Sequence, residues 1–210
     1  MKKIIIILTA LTMTLGANAQ NFTYGVKAGV NLSQLSYVEY GDGSKQDASD
    51  MMFGFHVGGY AHYSFNEMLG LQGELLFSTQ GGKKKGFGDA EINLNFINVP
   101  VLLSFTVPSL PEFRVFAGAQ VGYNISRKIS WGNESYSGSK LDDVLKMSGE
   151  KINSVDVATV LGAQYTFVDH FTVGLRYNLG LTSASSATDG GDKVSGNYHR
   201  VFQLSFGWTF

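Results

Sequence analysis

Phe22-Thr23-Tyr24-Gly25-Val26-Lys27-Ala28-Gly29-Val30-Asn31-Leu32 is the stretch on which the fold turns. Apolar residues hold the even positions, while Thr23, Gly25, Lys27, Gly29 and Asn31 hold the odd ones. A period of two puts successive side chains on opposite faces of a β-strand, so one face here is oily and the other small or polar.

The same alternation recurs down the chain. Phe53, Phe55, Val57, Gly59, Ala61, Tyr63 and Phe65 stand opposite Gly54, His56, Gly58, Tyr60, His62 and Ser64. Leu69, Leu71, Gly73, Leu75 and Phe77 stand opposite Gly70, Gln72, Glu74, Leu76 and Ser78. The fourth segment runs Ile92, Leu94, Phe96 and then Ile97, Val99, Val101, Leu103, Phe105, a slip of phase that predicts a β-bulge between Phe96 and Ile97. Pro100 just beyond suits an irregular stretch of ladder, where its missing N–H is tolerated. Val115 to Ile125, Val155 to Phe167, Phe171 to Leu181 and Phe202 to Phe210 complete eight segments, with oily faces at odd, odd, odd and even positions.

Connections near 66–68, 106–112 and 168–170 are short, whereas 36–51, 81–91, 128–151 and 183–199 are long and polar. Short turns alternating with long loops are the pattern of a transmembrane β-barrel, with the short turns and both mature termini periplasmic. A soluble lipocalin-like barrel also alternates, but its oily face points inward around a ligand. Here none of the oily positions carries a charge, and the opposite face holds Lys27, Glu74, Arg114, Asp156 and Arg176. Five charges beside His56 and His62 suit a polar interior, since an apolar cavity would impose large desolvation costs. Aromatic residues collect at the short-turn ends (Phe22, Tyr24, Tyr63, Phe65, Phe105, Phe113, Tyr165, Phe167, Phe171, Trp208 and Phe210), as an interfacial girdle would. The expected fold is all-β, an eight-stranded antiparallel up-and-down transmembrane barrel.

The N-terminus reads as an export signal. Lys2 and Lys3 precede the apolar run Ile4 to Leu15, which ends at Ala17-Asn18-Ala19, a small-x-small cleavage site. That run is too short to cross a bilayer core of about 30 Å as a helix. Residues 1–19 are expected to be removed, leaving a barrel domain over 20–210 with net charge −3. The whole 210-residue chain has 16 basic and 17 acidic residues, so nothing marks it for nucleic acid. Its lack of cysteine excludes disulfides and thiolate metal sites.

Several segments resemble the PorT-like outer-membrane β-barrel proteins, a porin-type family. Ile97-Asn98-Val99-Pro100-Val101-Leu102-Leu103 is similar to its Ile-Pro-Leu-Leu strand, and Phe116-Ala117-Gly118-Ala119-Gln120-Val121-Gly122-Tyr123 to its Gly-rich fifth strand. Arg176-Tyr177-Asn178-Leu179-Gly180-Leu181 resembles its Arg-Tyr-x-x-Gly-Leu strand, and Phe210 its usual C-terminal residue. Ser104 departs from the pattern, standing where members often carry Lys. The resemblance implies insertion by the outer-membrane assembly machinery, engaged here through the C-terminal strand, and does not imply one activity. Outer-membrane lipid and lipopolysaccharide are the other expected partners, for a monomer without cofactor.

Chemistry is sparse. His56 and His62 lie about 20 Å apart along a strand and cannot share a metal. No Gly-x-Ser-x-Gly elbow or complete phosphate loop occurs. His199, Asp192 and Ser195 share the last loop, which leaves an acyltransferase-type barrel as a minor alternative. Lys27, Glu74 and Arg176 sit near mid-strand and are expected to meet as an ion network in the lumen. In loop three Ser139, Asp142, Leu141, Val144, Leu145 and Gly149 have the spacing of a short capped helix. The expected function is a non-enzymatic structural or surface-interaction barrel; a narrow solute channel and a secretion accessory are the alternatives.

Overall fold

The computed structural model describes residues 21–35, 38–39, 45–46, 50–84, 90–131, 134–137, 150–152, 154–168, 170–189 and 192–210. Eight long strands carry the fold: β1 Phe22–Leu35, β2 Met52–Ser64, β3 Leu69–Lys84, β4 Ala90–Val107, β5 Leu110–Trp131, β6 Val155–Phe167, β7 Phe171–Asp189 and β8 Asp192–Thr209. Each pairs antiparallel with its chain neighbour except at the seam, where β1 pairs β8 from Gly25–Thr209 to Leu35–His199. The sheet is thus a closed up-and-down barrel. Closure satisfies the backbone without leaving an edge, which is the condition for spanning lipid with strands.

The two faces separate as the alternation requires. Val26, Val30, Phe55, Val57, Leu75, Val101, Leu103, Leu161, Leu175 and Phe206 point outward and are exposed. Lys27, Asn31, His56, His62, Gln72, Glu74, Arg176 and Gln203 point inward and are buried. At the short-turn rim aromatic residues meet in pairs: Tyr24 stacks on Phe210 at 5.4 Å, Tyr63 meets Phe65 at 5.6 Å and Tyr165 meets Phe167 at 4.7 Å.

The turns on that rim are tight. Asn66 Oδ1 accepts from the amides of Met68 and Leu69 at 2.9 and 2.8 Å, so a side chain satisfies the backbone of the β2–β3 turn. In the β6–β7 turn Val168 takes φ 47°, a conformation that branching at Cβ makes costly.

Three expectations need correction. The phase slip of β4 is not a bulge between Phe96 and Ile97. Instead the register shifts between Asn95–Ser126 and Phe96–Asn124, which makes Ile125 of β5 the extra residue. β4 keeps its parity, and Leu94 and Phe96 turn into the lumen, where Phe96 meets the His199 ring edge-on at 5.6 Å. The β3–β4 pairing passes directly from Gly73–Val101 to Leu76–Asn98, and Pro100 stands in that interval.

The long polar loops are also partly strand. β3 and β4 continue to Lys84–Ala90, β7 and β8 to Asp189–Asp192, and β5 folds back on a short strand, Glu134–Ser137. Polar sequence pairs well there because beyond the lipid both faces of a sheet can meet water. His199 accordingly lies in β8, buried in the lumen rather than in a loop. The helix expected around 139–149 and the export signal of 1–19 lie outside the described residues. Among the described residues no helix is long and apolar enough to cross a membrane, which says nothing of strands.

Candidate functional site

The lumen is the site, and at mid-depth it is closed. Glu74 of β3 and Arg176 of β7 reach across the barrel, Arg176 Nη1 donating to Glu74 Oε2 and Nη2 to Oε1, both at 2.7 Å. Lys27 Nζ of β1 approaches Oε2 at 2.7 Å and Gln72 Nε2 donates to Oε1 at 2.6 Å. One carboxylate therefore ties three walls together. Eight strands leave an interior just wide enough for side chains to fill, and the paired geometry of a guanidinium on a carboxylate suits such a crossing.

Beside this network lies an apolar plug. Leu102, Phe116 and Val160 form a buried cluster from β4, β5 and β6, and Leu76 of β3 is wholly buried too. Gly118 pairs with both Leu102 and Val160, so the wall between them carries no side chain and both residues can lean inward. The Arg176 guanidinium carbon lies 5.8 Å from the Phe116 ring centroid, a cation–π distance. The cavity left between Lys27, Phe116, Thr172, Arg176 and Ser205 has a volume of about 10 Å³, room for one water at most.

On the long-loop side a hydrogen-bond lattice fills one half of the lumen. Asn31 Nδ2 donates to Ser78 Oγ at 2.9 Å, and Asn31 Oδ1 accepts from Gln203 Nε2 at 3.0 Å. His56 links Asn31 Oδ1 at 2.7 Å to Ser205 Oγ at 2.9 Å. The opposite half is less complete: buried atoms of Asn98, Asn124, Asn178 and His199 have no protein partner. Buried polar atoms ordinarily find one, so that half suits water better than close packing.

The structure thus brings Lys27, Glu74 and Arg176 into one cluster and keeps the other lumen charges apart. Asp156 accepts from Thr182 Oγ1 at 3.0 Å, and Arg114 Nε donates to Thr106 Oγ1 at 3.4 Å near the short-turn rim. His62 binds Ser104 Oγ at 2.8 Å. Leu76 lies on the lumen face where its alternation puts it, whereas Leu102, Phe116 and Val160 were not singled out as lumen residues, although each shares the lumen parity of its strand. No group of three or more His, Cys, Asp or Glu side chains poised for a metal occurs among the described residues.

A closed eight-stranded sheet with a charge-free outer belt and a charged interior defines an integral outer-membrane barrel. Residues 18–186 match the model of the outer membrane protein beta-barrel domain, and the chain belongs to that family. Similar solved structures include Ail, the attachment invasion locus protein of Yersinia pestis, with 16% identity over 90% of this chain and 99% of that one and a TM-score of 0.49. OprG of Pseudomonas aeruginosa has 18% identity over 90% and 95% of the two chains with a TM-score of 0.45. Neisserial surface protein A has 15% over 89% and 95% with a TM-score of 0.48. No curated protein matches the chain.

Proposed function

We propose that this protein is a non-enzymatic outer-membrane barrel with a sealed lumen, acting through the surfaces it presents beyond the lipid rather than by conducting solutes. The observation that carries this reading is the closed mid-section, where the Glu74 cluster reaches across the lumen beside the buried Leu102–Phe116–Val160 plug. A hydrated ion needs a continuous water column, and this layer interrupts it. In this reading residues 1–19 are an export signal, both mature termini are periplasmic, and the long-loop side faces outward. Strand lengths support a surface role. About 9–11 residues cross a membrane, yet β5 has 22 and β7 has 19, and the tight turns leave the excess on the long-loop side. The finer likeness to PorT-like proteins is part of the same reading.

Conductance in planar bilayers tests the seal. Wild type is expected to stay electrically silent, and Phe116→Gly combined with Leu102→Gly to give openings. Steady openings from the wild type, reproduced across preparations, would overturn the proposal.

A further inference from the structure

The seam between β5 and β6 opens at the short-turn rim. Its last register pair is Tyr165–Phe113, after which Leu110 to Glu112 and Thr166 to Phe167 run on without pairing to one another. On the β6 side Thr166 and Phe167 pair with Thr172 and Phe171, while on the β5 side the pairing with β4 steps from Arg114–Thr106 to Leu110–Val107 across a register shift, so the gap is a notch between a paired edge and an irregular one. Its volume is about 470 Å³, within the range of about 300–1,000 Å³ of small-molecule sites.

The walls of the notch differ in chemistry. Glu112, Arg114 and Thr166 share lumen parity and give it a carboxylate, a guanidinium and a hydroxyl. Tyr165, Phe167 and Val168 line its other side, and Tyr165 and Phe167 carry the outward parity of the aromatic belt. Arg114 has no carboxylate within ion-pair distance among the described residues, and its hydrogen bond to Thr106 is long at 3.4 Å. Val168 is 89% exposed at the positive φ of the adjacent turn, which keeps an apolar side chain at the lip of the notch.

A ligand matching both walls carries an anion for Arg114, a cation for Glu112 and hydrocarbon for the outer side. We infer that the notch binds the headgroup of a zwitterionic phospholipid, the phosphate against Arg114 and the ammonium against Glu112, with the acyl chains leaving past Phe167 and Val168 into the bilayer. Guanidinium and phosphate form charge-assisted pairs, and the neighbouring carboxylate selects an amine-bearing headgroup over an anionic one. In the proposed orientation this rim meets the periplasmic leaflet, but the binding chemistry holds for either orientation.

Native mass spectrometry of the full-length protein, purified in dodecyl maltoside and mixed with defined lipids, measures this directly. Phosphatidylethanolamine is expected to bind about tenfold more tightly than phosphatidylglycerol. Arg114→Gln should lower both affinities, whereas Glu112→Gln should abolish the preference by raising phosphatidylglycerol binding. Mobility on unboiled gels verifies folding, and if Arg114→Gln does not fold, the exposed Glu112→Gln decides alone. Equal binding of the two lipids by wild type, or an unchanged preference in Glu112→Gln, would overturn the site. Soluble glycerophosphoethanolamine binding as tightly as the lipid would overturn the lipid as its source.

Discussion

Arg176 and Glu74, 102 positions apart in the chain, face each other from opposite walls of the barrel and share two parallel bonds of 2.7 Å. Burial makes the pair matter most when it is broken. Arg176→Met leaves a carboxylate with Lys27 as its remaining cation, and Glu74→Gln leaves two cations with none. Losing one partner of a buried pair costs about 3–5 kcal/mol, and the double variant should recover part of it. A folding titration over the four-member cycle checks this, and strictly additive losses would reject the coupling. Glu74→Gln is expected to be the more harmful single change.

The two faces should respond oppositely to charge. Leu175 is 64% exposed on the outer face, next in sequence to buried Arg176. Leu175→Arg should cost about 2–4 kcal/mol at mid-membrane depth. The measurement is folding free energy in lipid vesicles, and a wild-type value for Leu175→Arg would show that this face does not meet lipid.

The plug predicts ordinary core energetics inside a membrane protein. Leu102 is wholly buried, so Leu102→Ala should destabilise by about 2–5 kcal/mol and Phe116→Ala by about 3–5 kcal/mol. Urea unfolding in vesicles checks both. Losses below about 1 kcal/mol would mean that water fills the plug region already.

Glycine substitutions should divide by position. A Cβ on Gly174 would meet Ala163 O at 3.5 Å, ordinary contact, whereas one on Gly29 would run into the backbone at Leu204 O and Ser205 Cα. Gly174→Ala is expected to fold like wild type and Gly29→Ala to fold poorly, read from the unboiled, faster-migrating gel band. Equal yields would contradict this account of the β1–β8 contact.

Parity made the fold legible. The alternation in Phe22 to Leu32 assigned lumen and lipid faces, and the charges at Lys27, Glu74 and Arg176 marked residues that meet across the barrel. Apolar residues at lumen parity were harder to see. Phe96 looked like part of an oily stripe because a hydrophobic side chain alone does not tell lipid from a packed interior, and only the pairing across to β5 places the extra residue at Ile125. His199 was hidden for the converse reason: polar surroundings in sequence suggested a loop, while register with Leu35 holds it in a strand. The notch between β5 and β6 left no trace in the alternation, since it depends on where two ladders stop.

The β1–β8 seam makes the barrel a property of the entire strand set. Every other adjacent pair is a hairpin that can zip locally, but Gly25 waits for Thr209, nearly the full length of the chain away. The entropy of that ring closure grows only logarithmically, about 0.6 kcal/mol for each doubling of loop length, so the obstacle is one of timing more than of energy. Until β8 arrives, a nascent sheet would hold two unsatisfied edges. Losing β8 would therefore not give a slightly weaker cylinder but an open ribbon whose two unpaired edges hydrocarbon cannot solvate.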